Sequence, residues 1–179
     1  MPKLKLLIFD ANVVFELHEL GLWQVVLGDC EIFLSKLVAE KEVRYYKGDE
    51  FDEIIDLSPA IAAGQLTIFE VLVSEVQKFR KRFDGEYLSK LDDGEAESLT
   101  HMFTGQPVDW LISSSDAIVF RILGNLNEGE RGISLEEILI KLGRTTHGLK
   151  RQFTKKFREE YTAKGARERI YGRGLRDLL

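Results

Sequence analysis

One cysteine, Cys30, stands in the whole chain of 179 residues. No internal disulfide can form, and no second thiol is present to share a metal, so the composition gives no support to an oxidising compartment. Cys30 is read as a small hydrophobe. Histidine is also scarce: His18, His101 and His147 show neither H-x-x-x-H nor H-E-x-x-H spacing, which argues against a zinc site. Long apolar runs are missing as well. The opening MPKLKLLIFD holds only four consecutive apolar residues, too short for a signal-peptide core or a membrane span, so a cytoplasmic protein with no membrane partner is expected. Repeats and low-complexity tracts are absent. What is present, 44% apolar and 10% aromatic residues, suffices for one good core and a small appendage.

The net charge of −5 conceals a division. Residues 1–130 carry 12 Lys/Arg against 24 Asp/Glu, whereas residues 131–179 carry 13 against 6. The seam falls in NLNEGERGIS, residues 125–134, whose glycines and polar residues read as a linker. A division into residues 1–127 and a basic helical extension, residues 128–179, follows.

Along the first part, strand and helix signals alternate. LLIF (6–9) is a short buried strand cut by Asp10, and residues 16–29 have helical spacing that ends at Gly28. Ile32–Leu34 reads as a second strand followed by Ser35 as a helix cap, or the whole segment as one longer strand. Ser58-Pro59 starts a helix that reaches Gly64; LTIF (66–69) favours a strand; the helix bearing Val71, Leu72, Val76, Phe79 and Phe83 is capped by Gly85. A helix from about Asp93, a strand over 108–115 and a helix over 116–126 complete the pattern. Such alternation predicts an α/β fold with a mainly parallel sheet flanked by helices.

Carboxylates recur at the strand-to-helix junctions and in first helical turns: Asp10, Glu40, Glu95, Glu97 and Asp116. Any one is explained as a helix cap, because the macrodipole favours an acid there by about 0.3–1 kcal/mol. Several meeting at one sheet edge would repel one another, and a bound cation explains that arrangement better than capping does. Mg²⁺ or Mn²⁺ suits such oxygen ligands.

In order, LLIFDANVVF, LSKLVAEKEV, LDDGEAESLTHM and WLISSSDAIVFRIL resemble the acidic motifs of PIN-domain nucleases, a family that includes the ribonuclease toxins of toxin–antitoxin pairs. The resemblance covers about residues 4–126. It implies that Asp10 and Asp116 bind metal, that Glu95 or Glu97 fills the third acidic position and Glu40 or neighbouring Glu42 the second, and that Asn12 and Ser114 are polar partners of the site. It further implies Mg²⁺ or Mn²⁺ activating a water for in-line attack on a phosphodiester, RNA more than DNA, leaving a 5′-phosphate and a 3′-hydroxyl. A second copy of the chain and an antitoxin-like protein are the protein partners implied. Two departures stand out: the third position holds Glu where the family often has Asp, and Asp116-Ala117 lacks an immediate Arg, the nearest being Arg121. A competing reading is a PIN-like binding or scaffold protein without catalysis that works through its basic extension. The motif IFDANVV also resembles that of haloacid-dehalogenase-like phosphatases, but Asn12 replaces the Asp those enzymes need as general acid.

In the extension, Ser134 and Glu137 form a capping-box pattern and Gly143 can end that helix. Leu149, Phe153, Phe157 and Tyr161 recur every four residues as a core stripe, with Lys150, Arg151, Lys155, Lys156 and Arg158 on the other faces. Those cations either neutralise an acidic body or grip nucleic-acid phosphates, the latter in a helix-turn-helix built from residues 134–143 and 148–162.

Overall fold

A computed structural model describes residues 3–8, 10–43, 45–47, 51–104 and 109–176. In chain order it begins with β1 (Leu4–Ile8), α1 (Ala11–Glu19), α2 (Trp23–Asp29), β2 (Cys30–Ser35) and a π-helical turn (Val38–Glu42). The strands β3 (Tyr45–Lys47) and β4 (Asp52–Ile54) follow, then α3 (Ser58–Ala62), β5 (Leu66–Phe69), α4 (Val73–Arg80), α5 (Gly85–Leu88) and α6 (Asp93–Phe103). The chain continues through β6 (Leu111–Ser113), α7 (Ala117–Asn125), a 3-10 turn (Gly129–Arg131), α8 (Leu135–Lys141), a second 3-10 turn (Arg151–Phe153) and α9 (Lys155–Ile170). Phe9 and residue 108, which belong to the expected strands over 6–9 and 108–115, lie outside the described residues.

The expected α/β architecture is present. Among the described residues, four parallel strands form the central sheet in the order β5-β2-β1-β6, and β3 and β4 make a separate antiparallel pair. Starting at β1, the chain moves outward through β2 to β5, then returns to the other side of β1 with β6. That reversal makes the carboxyl ends of β1 and β6 a topological switch point, where open α/β sheets bind ligands.

Both faces of the sheet are covered. Alternate residues of β2 point opposite ways: Ile32 and Leu34 join a cluster with Val13, Leu17 and Val26, whereas Phe33 packs on a second cluster containing Leu99, Ile112 and Phe120. Two-sided burial is why these strands read as continuous apolar runs rather than alternating ones. Residues beyond 127 feed the same two clusters, Ile138, Leu139 and Phe153 the first and Phe157 the second. The expected stripe of Leu149, Phe153, Phe157 and Tyr161 therefore does pack inward. It bends at Thr154, which caps α9 by accepting from Phe157 N–H, so only its second half is on that helix.

Several local expectations are corrected. The single helix over 16–29 is two helices: Gly21 takes a positive φ of 66°, which breaks α1 from α2, and α2 runs to Asp29 rather than to Gly28. Gly85 does not cap the helix before it. That helix stops at Arg80, since Phe83 is fully buried and pairs with Leu175, and Gly85 opens α5 instead. The glycines of 125–134 mark close approach, not slack. Ile133 N–H donates to Ile112 O at 2.8 Å beside β6, and a Cβ on Gly132 would press on Leu123 and Phe120. Among the described residues no helix is long and apolar enough to cross a membrane.

Candidate active site

Asp10 follows β1, and its side chain holds two elements at once. Its Oδ1 accepts from Val13 N–H at 3.1 Å, which caps α1. Its Oδ2 accepts from Ser115 N–H at 2.7 Å, Ser114 Oγ at 2.8 Å and Ser115 Oγ at 3.1 Å, all in the turn after β6. The helix-cap reading of Asp10 is thus correct, and the residue also stands at the sheet edge beside the turn after β6. Register explains the meeting: Ile8 of β1 lies opposite Ser113 of β6, so the residues just past each strand become neighbours. Asn12 Nδ2 donates to Ser115 Oγ, and Ser114 Oγ accepts from Asp116 N–H. Asn12 and Ser114 are therefore parts of the clamp around Asp10. Asp116 caps α7 by accepting from Ile118 N–H at 3.0 Å.

The third acid comes from α6, which begins with a reciprocal capping box. Asp92 Oδ1 accepts from Glu95 N–H at 2.7 Å, and Glu95 Oε2 accepts from Asp92 N–H at 3.2 Å. Glu95 is only 1% exposed, and its Oε1 is buried without a hydrogen-bond partner. Burial, then negative charge on Asp92 and Asp116 and more weakly on Asp10, pushes its carboxyl up to about 9, so it is protonated near neutrality. Partial burial and the charges of Asp116 and Asp10 likewise raise Asp92. Asp10 and Glu95 are buried, while Asp92 and Asp116 reach solvent. Among the described residues, none of these four carboxylates is in an ion pair.

Sequence reasoning missed Asp92, although Asp92-Asp93-Gly94-Glu95 carries the spacing of a capping box, which would have paired it with Glu95. Two expected residues go elsewhere. Glu97 lies about 200° round α6 from Glu95; its Oε1 accepts from Val71 N–H, and it lines a cavity of about 460 Å³ with Leu37, Val71 and Arg80. Glu40, exposed on the π-helical turn, acts with Glu97 on Lys36, whose ammonium is bonded to Glu70 and held above its usual range mainly by that bond. The Glu42 side chain lies outside what is described. Arg121 belongs to no phosphate contact at this turn, because it is buried and bonded to Glu168 and Glu86.

Most cations proposed to grip nucleic acid already face carboxylates. Lys150 bonds Glu16 at 2.6 Å and Glu19 at 2.9 Å across 131–134 residues of chain, Arg151 bonds Glu160, Lys155 lies 3.6 Å from Glu159, and Arg158 forks onto both oxygens of Glu137. Lys156 borders a surface cavity with Arg151 and Glu160. For Lys150 this is neutralisation of the chain's own acidic part.

Hard oxygen donors and an unsatisfied buried oxygen fit a divalent cation by chemistry. Among the described residues, however, no three acidic, His or Cys groups are arranged to chelate an ion, and Asp10 is saturated by its own turn. No protein-family model matches the chain, and no curated protein matches it.

Proposed function

We propose that the acidic cluster of Asp92, Glu95 and Asp116, braced by Asp10, binds Mg²⁺ or Mn²⁺ and hydrolyses phosphodiesters of nucleic acid, RNA in preference to DNA. The observation that carries this reading is the buried Glu95 with an unpartnered oxygen, its charge opposed by two solvent-facing aspartates, one of them in the turn at the switch point of the sheet. Four acidic groups without a cation are costly to gather, which is why Glu95 is held protonated, and no single helix-capping role needs all of them together. The resemblance to PIN-domain nucleases shares Asp10, Asp116 and Glu95 with this set; Asp92 takes the place expected of Glu40, and Asp10 is a brace where the resemblance implied a ligand.

Asp92 and Asp116 would hold the cation between two carboxylates, with Glu95 near enough for their charges to act on it. When bound, such a cation supplies Lewis-acid activation of water and neutralises charge on phosphoryl oxygens. Asp10 acts through its bonds: it fixes the 114–116 turn and so aims Asp116. Asn12, bonded to Ser115, steadies the same turn.

Asp116→Asn tests the reading, since Asn caps a helix as well as Asp does. The variant should melt within about 2 °C of the parent, lose calorimetric Mn²⁺ binding and cleave single-stranded RNA at least about 100-fold more slowly. Unchanged Mn²⁺ binding and cleavage would sink it. A non-catalytic binding or scaffold role is the second reading, favoured by the saturated Asp10 and the absence of a preformed chelating triad among the described residues. It predicts that the parent binds RNA in Mn²⁺ without cutting it.

A further inference from the structure

Three arginines, Arg82, Arg169 and Arg173, surround one cavity of about 340 Å³ that also touches Asn125 and Gly172. It lies at the carboxyl end of α7, whereas Asp116 caps the amino end; nine residues of helix, about 14 Å at 1.5 Å per residue, separate the two. The other arginines named so far, Arg80, Arg121, Arg151 and Arg158, each meet a carboxylate. These three do not. Arg169 donates to Asn125 O, Arg82 stacks over the Phe79 ring, and among the described residues none of the three is in an ion pair.

The walls are built by long-range bonds. Asn125 is fully buried; its Nδ2 donates to Arg173 O at 2.8 Å and to Tyr87 Oη, while its Oδ1 has no partner. Gly174 O accepts from Asp84 N–H, Gly174 N–H donates to Asp84 Oδ2, and Arg176 N–H donates to Arg82 O. Gly174, at a φ of 92°, lets the chain close against Asn125 and Tyr87 where a Cβ would collide. Arg82 and Arg173 are thereby held on two mutually bonded segments. Two carboxylates of this network are already engaged, Asp84 by Gly174 and Tyr87 backbone N–H groups and Glu168 by Arg121.

The plainest alternative is that the arginines serve the carboxyl ends of α4, α7 and α9. Each such end offers about half a negative charge. Three ends against three guanidinium groups leave an excess of roughly one and a half positive charges, and only Arg169 is bonded to a helix-end carbonyl. Guanidinium forks match phosphoryl and carboxylate oxygens, but a phosphomonoester, at about −1.5 to −2 near pH 7, balances that excess where a single carboxylate falls short. The volume is at the small end of ligand pockets, which suits one phosphoryl group and what it is attached to.

We infer that the Arg82–Arg169–Arg173 cavity is an anion site for a phosphomonoester group, supplied either as free phosphate or as the phosphorylated end of a nucleic-acid strand. The site does not depend on the hydrolysis proposed above, and its test uses no metal.

In chelator and at fixed ionic strength, sodium phosphate is titrated into the full-length protein while the amide signals of Gly172 and Gly174 are followed by NMR. In parallel, anisotropy compares a 5′-phosphorylated oligoribonucleotide with the same strand bearing a 5′-hydroxyl. Saturable shifts, or at least tenfold tighter binding of the phosphorylated strand, are expected; the first identifies free phosphate and the second a strand end as the source. Arg169→Gln/Arg173→Gln should weaken the response at least tenfold, and Arg167→Gln, exposed on the same helix but outside the cavity, should leave it unchanged. Should the double variant melt early through loss of the Asn125 bond, Arg173→Gln alone decides. The inference is overturned by silence of the parent in both arms, by a variant that binds like the parent, or by an equal loss in Arg167→Gln, which would mean unspecific attraction.

Discussion

Gly165→Ala is expected to cost at least about 3 kcal/mol, the upper part of the range for over-packed cores, and to lower Tm by about 6–12 °C in a chain of this size. The cause is the crossing of α7 and α9, where each helix places a glycine against the other's backbone. A Cβ on Gly165 would lie inside the radius of the Arg121 carbonyl oxygen, and one on Gly124 inside that of the Thr162 carbonyl oxygen. Neither oxygen can swing aside as a flexible side chain would. Helix propensity acts the other way, favouring Ala by about 1 kcal/mol, and is too small to win. Gly28→Ala in α2 is the control: a Cβ there meets nothing, so that variant should be as stable as the parent or more so. Thermal unfolding of the three proteins decides, and a Gly165→Ala protein melting within about 2 °C of the parent would show that α9 can lift off α7 cheaply. The crossing matters to the site because Asp116 caps the start of α7, and because Arg121 in the middle of that helix is clamped by Glu168 of α9. Burial opposes the Arg121 charge, but its bonds to Glu168 and Glu86 outweigh that and hold it charged.

Stability in the absence of divalent cations should fall as pH rises from 7 to 8.5, by up to about 2 kcal/mol. The sign follows from Glu95, whose folded carboxyl is pushed up to about 9 from an ordinary value of 4.5. Between those values the folded state holds a proton that the unfolded state has lost, so the advantage is complete below pH 4.5 and is lost as pH rises through about 9. Asp92, also raised, contributes in the same direction at lower pH. His18 and His101 are lowered by burial, which makes stability rise with pH, but only up to their unfolded value of 6.5. Cys30, raised to about 11 by burial, begins to matter only above its ordinary 9.0. The window from 7 to 8.5 therefore isolates Glu95. Glu95→Gln, which stays neutral throughout, should flatten the curve and melt above the parent at pH 8.5. A parent curve already flat across this window, or a variant that keeps the slope, would show that Glu95 is not the buried acid described. Saturating Mn²⁺ should flatten the parent's curve too, because a cation favours the ionised carboxylate and its binding releases the proton.

Local chemistry was enough for much of this. The apolar run ending at Asp10, the serines before Asp116 and the Ser134–Glu137 box each depend on neighbours within a few residues, so the strand ends and caps could be read directly. Alternation of strand and helix carried the parallel sheet with it. Glycines were the weakest guide, because one residue type serves a positive φ at Gly21 and tight packing at Gly132 and Gly165, and only the neighbours distinguish these uses. Side-chain direction was decided by the tertiary structure: Glu95 and Glu97 are equally acidic and two residues apart, yet the packing of α6 sends one to the site and the other to Val71. Charge partners were decided there as well. Lys150 finds Glu16 across 134 residues and Arg121 finds Glu168 across 47, while Arg82, Arg169 and Arg173 meet at one cavity with no acid among the described residues that line it. Sequence determined which elements form and which residues could do chemistry. Which of those residues meet was left to the fold, because Coulomb and hydrogen-bond energies depend on ångström separations that spacing along a chain does not contain.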